Sequence, residues 1–330
     1  MAFSTFSSIN NLISKKKSGA SGVQYTKQTF TVSGVSSLPF QGAYDISDDG
    51  TVIAVVNTSY QLYMSTNSGS SFSLKGTFPG TIYDFYMSNS GTNIIAVGSN
   101  VVYTSTNSGQ SFSTIAASGI MNVSISGNGQ YAGYLINTSG FYVSTNSMSS
   151  FTQTLIASNC YSCSIDRNNP TNMICSVNSS GSYLQLYIST NYGASFTLNT
   201  YTSNPHPYGR GCNINGSSIS IISASANPQV VLTSNNTGQS FTQWSSTVCN
   251  QVLQTQGNHN VCMNSTSTLA YFIYRFSPYS LLYSADNGQT STAIFATSNG
   301  TDKAIRASSD CKYILGWSGS ALSVTTNNYI

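Results

Sequence analysis

The chain contains no glutamate: its 8 acidic residues are all aspartate, and charged residues make up only 6% of the 330. An ordinary globular domain carries roughly 25%. Glu, Lys and Ala, the strong helix formers, are scarce, which excludes a helical body. Only two histidines are present, His206 and His259, and neither lies near a nucleophile elbow, so a serine hydrolase is not expected. No run of about 18 apolar residues exists, so no helical membrane span is expected. In the N-terminal stretch MAFSTFSSINNLISKKK the basic cluster follows the apolar residues instead of preceding them, unlike a classical signal peptide. The net charge is only +3, and Lys15, Lys16 and Lys17 sit together. The nearly neutral remainder offers no stripe that tracks phosphates, so nucleic-acid binding is not expected.

Cysteine is present in an odd number, seven, and reads as buried free thiols. Cys160 and Cys163 form a lone CxxC without a second pair at zinc-finger spacing, so neither a metal nor a cofactor is expected. Sequons are numerous, from Asn57 to Asn299, as chance dictates in a chain so rich in Asn, Ser and Thr.

What is there is a repeat. Hydrophobic residues reach 39% and aromatic residues 12%, enough to build a core, and they fall in short β-branched and aromatic runs. One octet recurs: STNSGSSF at 65–72, STNSGQSF at 105–112, STNSMSSF at 144–151, STNYGASF at 189–196, SNNTGQSF at 234–241 and SADNGQTS at 284–291, with a truncated TTNN at 325–328. The starts are 40, 39, 45, 45, 50 and 41 residues apart, the period of a propeller blade of four short strands. Each of the first four octets follows a β-like triplet such as Leu62-Tyr63-Met64, and the aromatic residue that closes the octet opens another strand, so the octet reads as a hairpin turn. A strand, a turn and a more apolar strand precede each octet, as in YDISDDGTVIAVV at 44–56.

The octet resembles the Asp-box, or BNR, repeat of sialidases and sortilin-type receptors, S-x-D-x-G-x-[ST]-[WF]. Asn stands at the Asp position in all copies but that of Asp286, and Phe replaces Trp. The resemblance implies an all-β, seven-bladed propeller of four-stranded antiparallel blades over residues 23–330. Residues 24–34 look like a spare outer strand that closes the ring. Residues 1–22 then form a flexible or partner-ordered arm, with Lys15, Lys16 and Lys17 as candidate anchors to a partner.

The sialidase catalytic set is missing. That family uses an arginine cluster and a Tyr/Glu pair, and this chain has four arginines and no Glu. Asp45 and Asp84, on adjacent inner strands, are the plausible carboxylate pair for a degenerate glycosidase. Cys163, Cys212 and Cys262 fall on predicted inner strands as small channel-lining side chains. For ligand binding, the best cluster combines His206, Tyr208 and Arg210 with Tyr274, Arg275 and Tyr279, where aromatic faces beside guanidinium groups suit sugars or acidic groups. Packing of longer loops is the competing explanation.

Three functions stay open. The first is a non-enzymatic interaction protein, a disc used as an assembly component; its composition resembles that of virus-particle or cell-surface proteins. The second is a lectin-like propeller binding a glycan, and the third is the degenerate glycosidase.

Overall fold

Short runs rich in Ile, Val, Tyr and Phe alternate with Asn, Ser and Gly turns, so the chain forms hairpin after hairpin. The computed structural model describes residues 16–17, 24–37, 43–178, 184–201, 209–223, 230–249, 261–265, 270–273, 280–296, 306–318 and 321–327. Among these the one helix is a single turn, Ser246–Cys249.

The strands form antiparallel sheets in sequence order. Blade 1 is Tyr44–Ile46, Ile53–Val56, Gln61–Ser65 and Ser73–Thr77. Blade 2 is Ile82–Met87, Ile94–Gly98, Val101–Ser105 and Ser113–Ala116, and blade 3 is Ile120–Ile125, Ala132–Ile136, Gly140–Ser144 and Thr152–Ile156. Blade 4 is Cys160–Ile165, Met173–Asn178, Leu184–Ser189 and Thr197–Tyr201. Blade 5 is Gly209–Asn215, Ser218–Ser223, Val230–Ser234 and Thr242–Gln243, and blade 6 is Val261–Met263, Ala270–Ile273, Ser280–Ser284 and Thr292–Ala296. The first strand of each is innermost and the last is outermost.

The structure corrects the expectation of seven four-stranded blades: among the described residues, four-stranded blades number six. The remaining, closing sheet has five strands, in the order Lys16–Lys17, Gln24–Phe30, Ala321–Asn327, Tyr313–Ser318 and Arg306–Ala307. The difference arises because the N-terminal segment supplies two strands instead of one. Gln24–Phe30 pairs with Ala321–Asn327 in a register from Tyr25↔Asn327 to Phe30↔Leu322. Lys16 and Lys17 then pair with Tyr25 and Gln24 on its outer side. Lys15 and the rest of the predicted arm lie outside the described residues.

The octets are the turns between the third and fourth strands of the blades, and side chains hold them. In blade 1, Ser65 Oγ donates to Asn67 Oδ1 at 2.9 Å and accepts from the Gly69 amide at 2.9 Å. Asn67 Oδ1 also accepts from the Ser71 amide at 2.9 Å, and its Nδ2 donates to Ser71 Oγ at 2.9 Å. The same set recurs around Asn107, Asn146, Asn191 and Asn236. Asn therefore replaces Asp without loss, because the amide supplies a donor where a carboxylate would accept the hydroxyl proton. The turn then docks on the hairpin between the first two strands of its own blade: the amides of Ser68, Ser108, Ser147, Tyr192 and Thr237 donate to carbonyls of Thr51, Thr92, Gln130, Thr171 and Ser217 at 2.9 to 3.1 Å. Both turn types thus share one face of the disc.

Apolar clusters fill the seams between blades. One joins Ala54, Leu62 and Met64 of blade 1 to Phe85, Met87 and Ile94 of blade 2. Burial of each of the larger side chains contributes about 1.5–3 kcal/mol.

Candidate functional site

Every innermost strand sends one side chain to the axis at the same level: Asp45, Tyr86, Ser124, Ser164, Asn213, Cys262 and Arg306. They surround a cavity of about 90 Å³. These seven occupy one equivalent position of the repeat, and the residues that follow them in five of the strands, Ile125, Ile165, Ile214, Met263 and Ala307, also border the cavity. Cys163 and Cys212 lie one residue before that position. They pack in the seams, with Phe141 and Leu135 in one case and Ile174 and Ile188 in the other. Of the three cysteines expected on the channel, only Cys262 lines it.

Neighbouring inner strands are laced by side chains. Asp45 Oδ2 accepts from the Met87 amide at 2.9 Å, Asn122 Nδ2 donates to Asp84 Oδ2 at 2.8 Å, and Asn122 Oδ1 accepts from the Cys163 amide at 3.1 Å. Ser124 Oγ accepts from the Ile165 amide and Ser162 Oγ from the Cys212 amide, at 2.9 and 3.0 Å. Short polar side chains thus link the inner strands of blades 1 to 5, each to the next, across their seams.

Among the described residues, Arg306 and Arg167 bring positive charge to the axis beside Asp45. Arg306 is 4% exposed. Its Nη2 donates to Asp84 Oδ1 at 3.0 Å and to the Phe85 carbonyl at 3.1 Å, and its Nη1 donates to the Tyr86 hydroxyl at 3.2 Å. The guanidinium lies 4.1 Å from the centroid of the Tyr86 ring. Burial raises the Asp84 carboxyl to about 6, against the opposing pull of Arg306. Arg167 reaches from the hairpin of blade 4 to Asn89 of blade 2, with Nε donating to Oδ1 at 2.9 Å, and stands 3.6 Å from both Asp45 and Asp48 of blade 1. Arg167 Nη2 and Arg306 Nε are buried without a hydrogen-bond partner among the described residues.

The hairpins interlock at this mouth of the channel. The Asn89 amide donates to the Gly127 carbonyl and the Gly127 amide to the Arg167 carbonyl, both at 2.7 Å. The Ser309 amide donates to Asp48 Oδ1 at 2.8 Å, and Asn215 Nδ2 donates to the Ser309 carbonyl. The opposite ends of the inner strands are built differently. Blades 2, 3, 4 and 5 each carry an extra residue there, a bulge at Tyr83, Met121, Tyr161 and Arg210. Tyr83 is 54% and Met121 37% exposed.

Asp45 and Asp84 do not face each other across a cleft as two glycosidase carboxylates do. Asp45 lines the cavity, level with Tyr86, while Asp84 is held by Arg306, Asn122 and the Phe85 amide. His206, Tyr208, Tyr274, Arg275 and Tyr279 lie outside the described residues, and of Arg210 only the backbone is described. Arg306 and Arg167 were not singled out from sequence as parts of a site. Arg306 shares the strand position of Asp45 in the repeat, and that alignment was the available signal.

No family model and no curated protein matches the sequence, and the Asp-box resemblance remains one of turn geometry. Solved structures match the fold, and they are β-propellers. A chain of Kuenenia stuttgartiensis hydrazine synthase superposes with a TM-score of 0.66 at 11% identity, covering 89% of this chain and 97% of that one. YCF48 bound to D1 peptide gives 0.57 at 14% identity, covering 91% and 96%. A chain of the mitotic checkpoint complex gives 0.61 at 10% identity, covering 100% and 99%.

Proposed function

We propose that this chain is a non-enzymatic interaction protein, a disc that docks a protein partner at the mouth ringed by Tyr83, Met121 and Tyr161. The observation that carries this reading is the division of labour between the two ends of the axis. At one end, the charged side chains are committed to interlocking hairpins. At the other, bulges leave Tyr83 and Met121 exposed, and bulges re-aim side chains where pairing alone would not. Tyr and Met are enriched in protein interfaces. YCF48 with its D1 peptide and the checkpoint complex are parallels in which a propeller of this architecture sits in a protein assembly.

The commitment of Asp45 and Asp84 to amides and to Arg306 argues against the glycosidase reading. The charge-poor, hydroxyl-rich surface fits an assembly component of a virus particle or a cell surface, and Lys15, Lys16 and Lys17 are the anchors this reading gives to the basic arm.

The test is cross-linking of the full chain in its native source, followed by mass spectrometry. Cross-links from a partner protein should gather near residues 82–84, 120–122 and 160–162, and Tyr83→Ala with Met121→Asp should deplete them. Turnover of an aryl glycoside by the purified chain, lost in Asp84→Asn, would make it an enzyme and overturn the proposal.

A further inference from the structure

Five of the six described octets place glycine at their fifth position, and the third places Met148. The glycines Gly69, Gly109, Gly193, Gly238 and Gly288 have φ between 77° and 83°. Met148 adopts the same turn at φ 67°, a region that a side chain makes unfavourable. The glycines serve a second purpose, close approach to the preceding blade. A Cβ on Gly109 would lie 2.3 Å from Leu62, one on Gly238 2.4 Å from Ile188, and one on Gly288 1.9 Å from Trp244. At the seam between blades 2 and 3 the contact is built the other way round. The third-strand position occupied by Val143 in blade 3 and Ile188 in blade 4 is Thr104 in blade 2, and the bulk comes from Met148, buried at 7% exposure.

This seam holds a cleft of about 510 Å³, within the usual range for small-ligand sites. Its lining contains no charged side chain. Met148, Thr104 and Tyr134 form the buried floor, and half-buried Ile115 and Phe151 form the walls. In blade 2 the corresponding octet ring, Phe112, is stacked on Phe78 at 4.2 Å. Phe151 instead meets Tyr134 at a tilt of 56°, with centroids 5.1 Å apart. Exposed hydroxyls of Ser111, Ser113, Ser149 and Ser150 rim the opening. Ser111 and Ser150 accept from Asn107 and Asn146 at 2.8 and 2.9 Å, which leaves their own protons to donate outward.

We propose that the seam between blades 2 and 3 is a binding site for a neutral saccharide. Apolar walls beside a hydroxyl rim match the C–H faces and hydroxyl edges of a sugar. A phosphate, sulfate or uronate would be buried there with no counter-charge. The strained Met148 is the backbone feature that sets this seam apart from its neighbours, and strain concentrates at ligand clamps. The inference stands apart from partner docking at the axis.

The test is titration calorimetry of the full chain with maltohexaose, cellohexaose, mannohexaose and chitohexaose, with polygalacturonate as the acidic control. At least one neutral hexaose should bind. Phe151→Ala should weaken it tenfold or more, and Met148→Gly should do the same by letting the turn close on blade 2. Because both alter packed positions, Ser113→Trp provides a third variant: it fills the cleft from an exposed position and should abolish binding with the thermal midpoint unchanged. No binding of any of the four hexaoses, binding indifferent to Ser113→Trp, or equal binding of polygalacturonate would each overturn the proposal.

Discussion

Arg306 Nη2 donates to Asp84 Oδ1 at 3.0 Å across 222 positions of sequence. The bond ties the closing sheet to blade 2 and passes over blade 1. Both side chains are buried, so each depends on the other for charge compensation. Arg306→Leu leaves the Asp84 carboxylate buried and unpaired and should cost about 3–5 kcal/mol. Adding Asp84→Asn to Arg306→Leu should recover most of that loss. Urea denaturation of the four chains of this double-mutant cycle measures the coupling, and a loss in the double variant equal to the sum of the two single losses would show that the pair is not coupled.

The same carboxyl makes stability depend on pH. Asp84 titrates near 6 in the folded chain, above the 3.8 of an ordinary aspartate, so the folded state holds the proton more tightly. Its contribution to stability is therefore greatest below about pH 4 and falls as pH rises to about 6, by roughly 3 kcal/mol. Asp49 and Asp286, held below the usual carboxylate range because hydrogen bonds outweigh slight burial, act in the opposite direction. The difference in urea midpoint between Asp84→Asn and the parent chain isolates Asp84: the variant should gain on the parent as pH rises from 4 to 6.

The octets make a third prediction. Ser65→Ala removes the acceptor of the Gly69 amide and a donor to Asn67, and should cost about 1 kcal/mol. Asn67→Asp should be close to neutral, since blade 6 holds its turn with Asp286, which accepts from Ser284 Oγ at 2.8 Å and from the Thr290 amide at 2.9 Å. Thermal midpoints of the two variants should separate by about 1–2 °C.

The cysteines make a fourth. All seven are free and buried, and burial pushes Cys160 up to about 11 and Cys212 and Cys262 to about 12. A thiol-specific disulfide reagent should label the native chain only as fast as it opens, and should count seven thiols in denaturant. Rapid labelling of the native chain at neutral pH would show that a thiol is accessible.

Much of the architecture was legible because it is local. Octet spacing locates the hairpins, and the Ser/Asn/Gly pattern predicts turns that close on themselves within eight residues. The seam at blades 2 and 3 was written in the sequence as Met148 in STNSMSSF, but its consequence needed the opposing residue, Thr104. What was not legible is long-range. Nothing near Arg306 announces Asp84, and nothing near Arg167 announces Asn89, because these contacts join side chains that meet only once the ring exists. The misplacement of Cys163 and Cys212 has a simpler origin: a strand's inward phase shifts by one residue at a bulge, and the bulges at Tyr161 and Arg210 have no composition signature. The five-stranded closing sheet follows from Lys16–Lys17, a two-residue strand too short to carry an alternation pattern.

The pairing of Gln24–Phe30 with Ala321–Asn327 also sets an order on biosynthesis. Its two strands emerge from the ribosome about 300 residues apart, which at roughly 5–20 residues per second is on the order of 15–60 s. Throughout that time the early strand has no mate, and the growing row of blades ends in an open edge. The nascent chain is exposed to wrong pairing, including with a neighbouring nascent copy on the same message, until its final strand arrives.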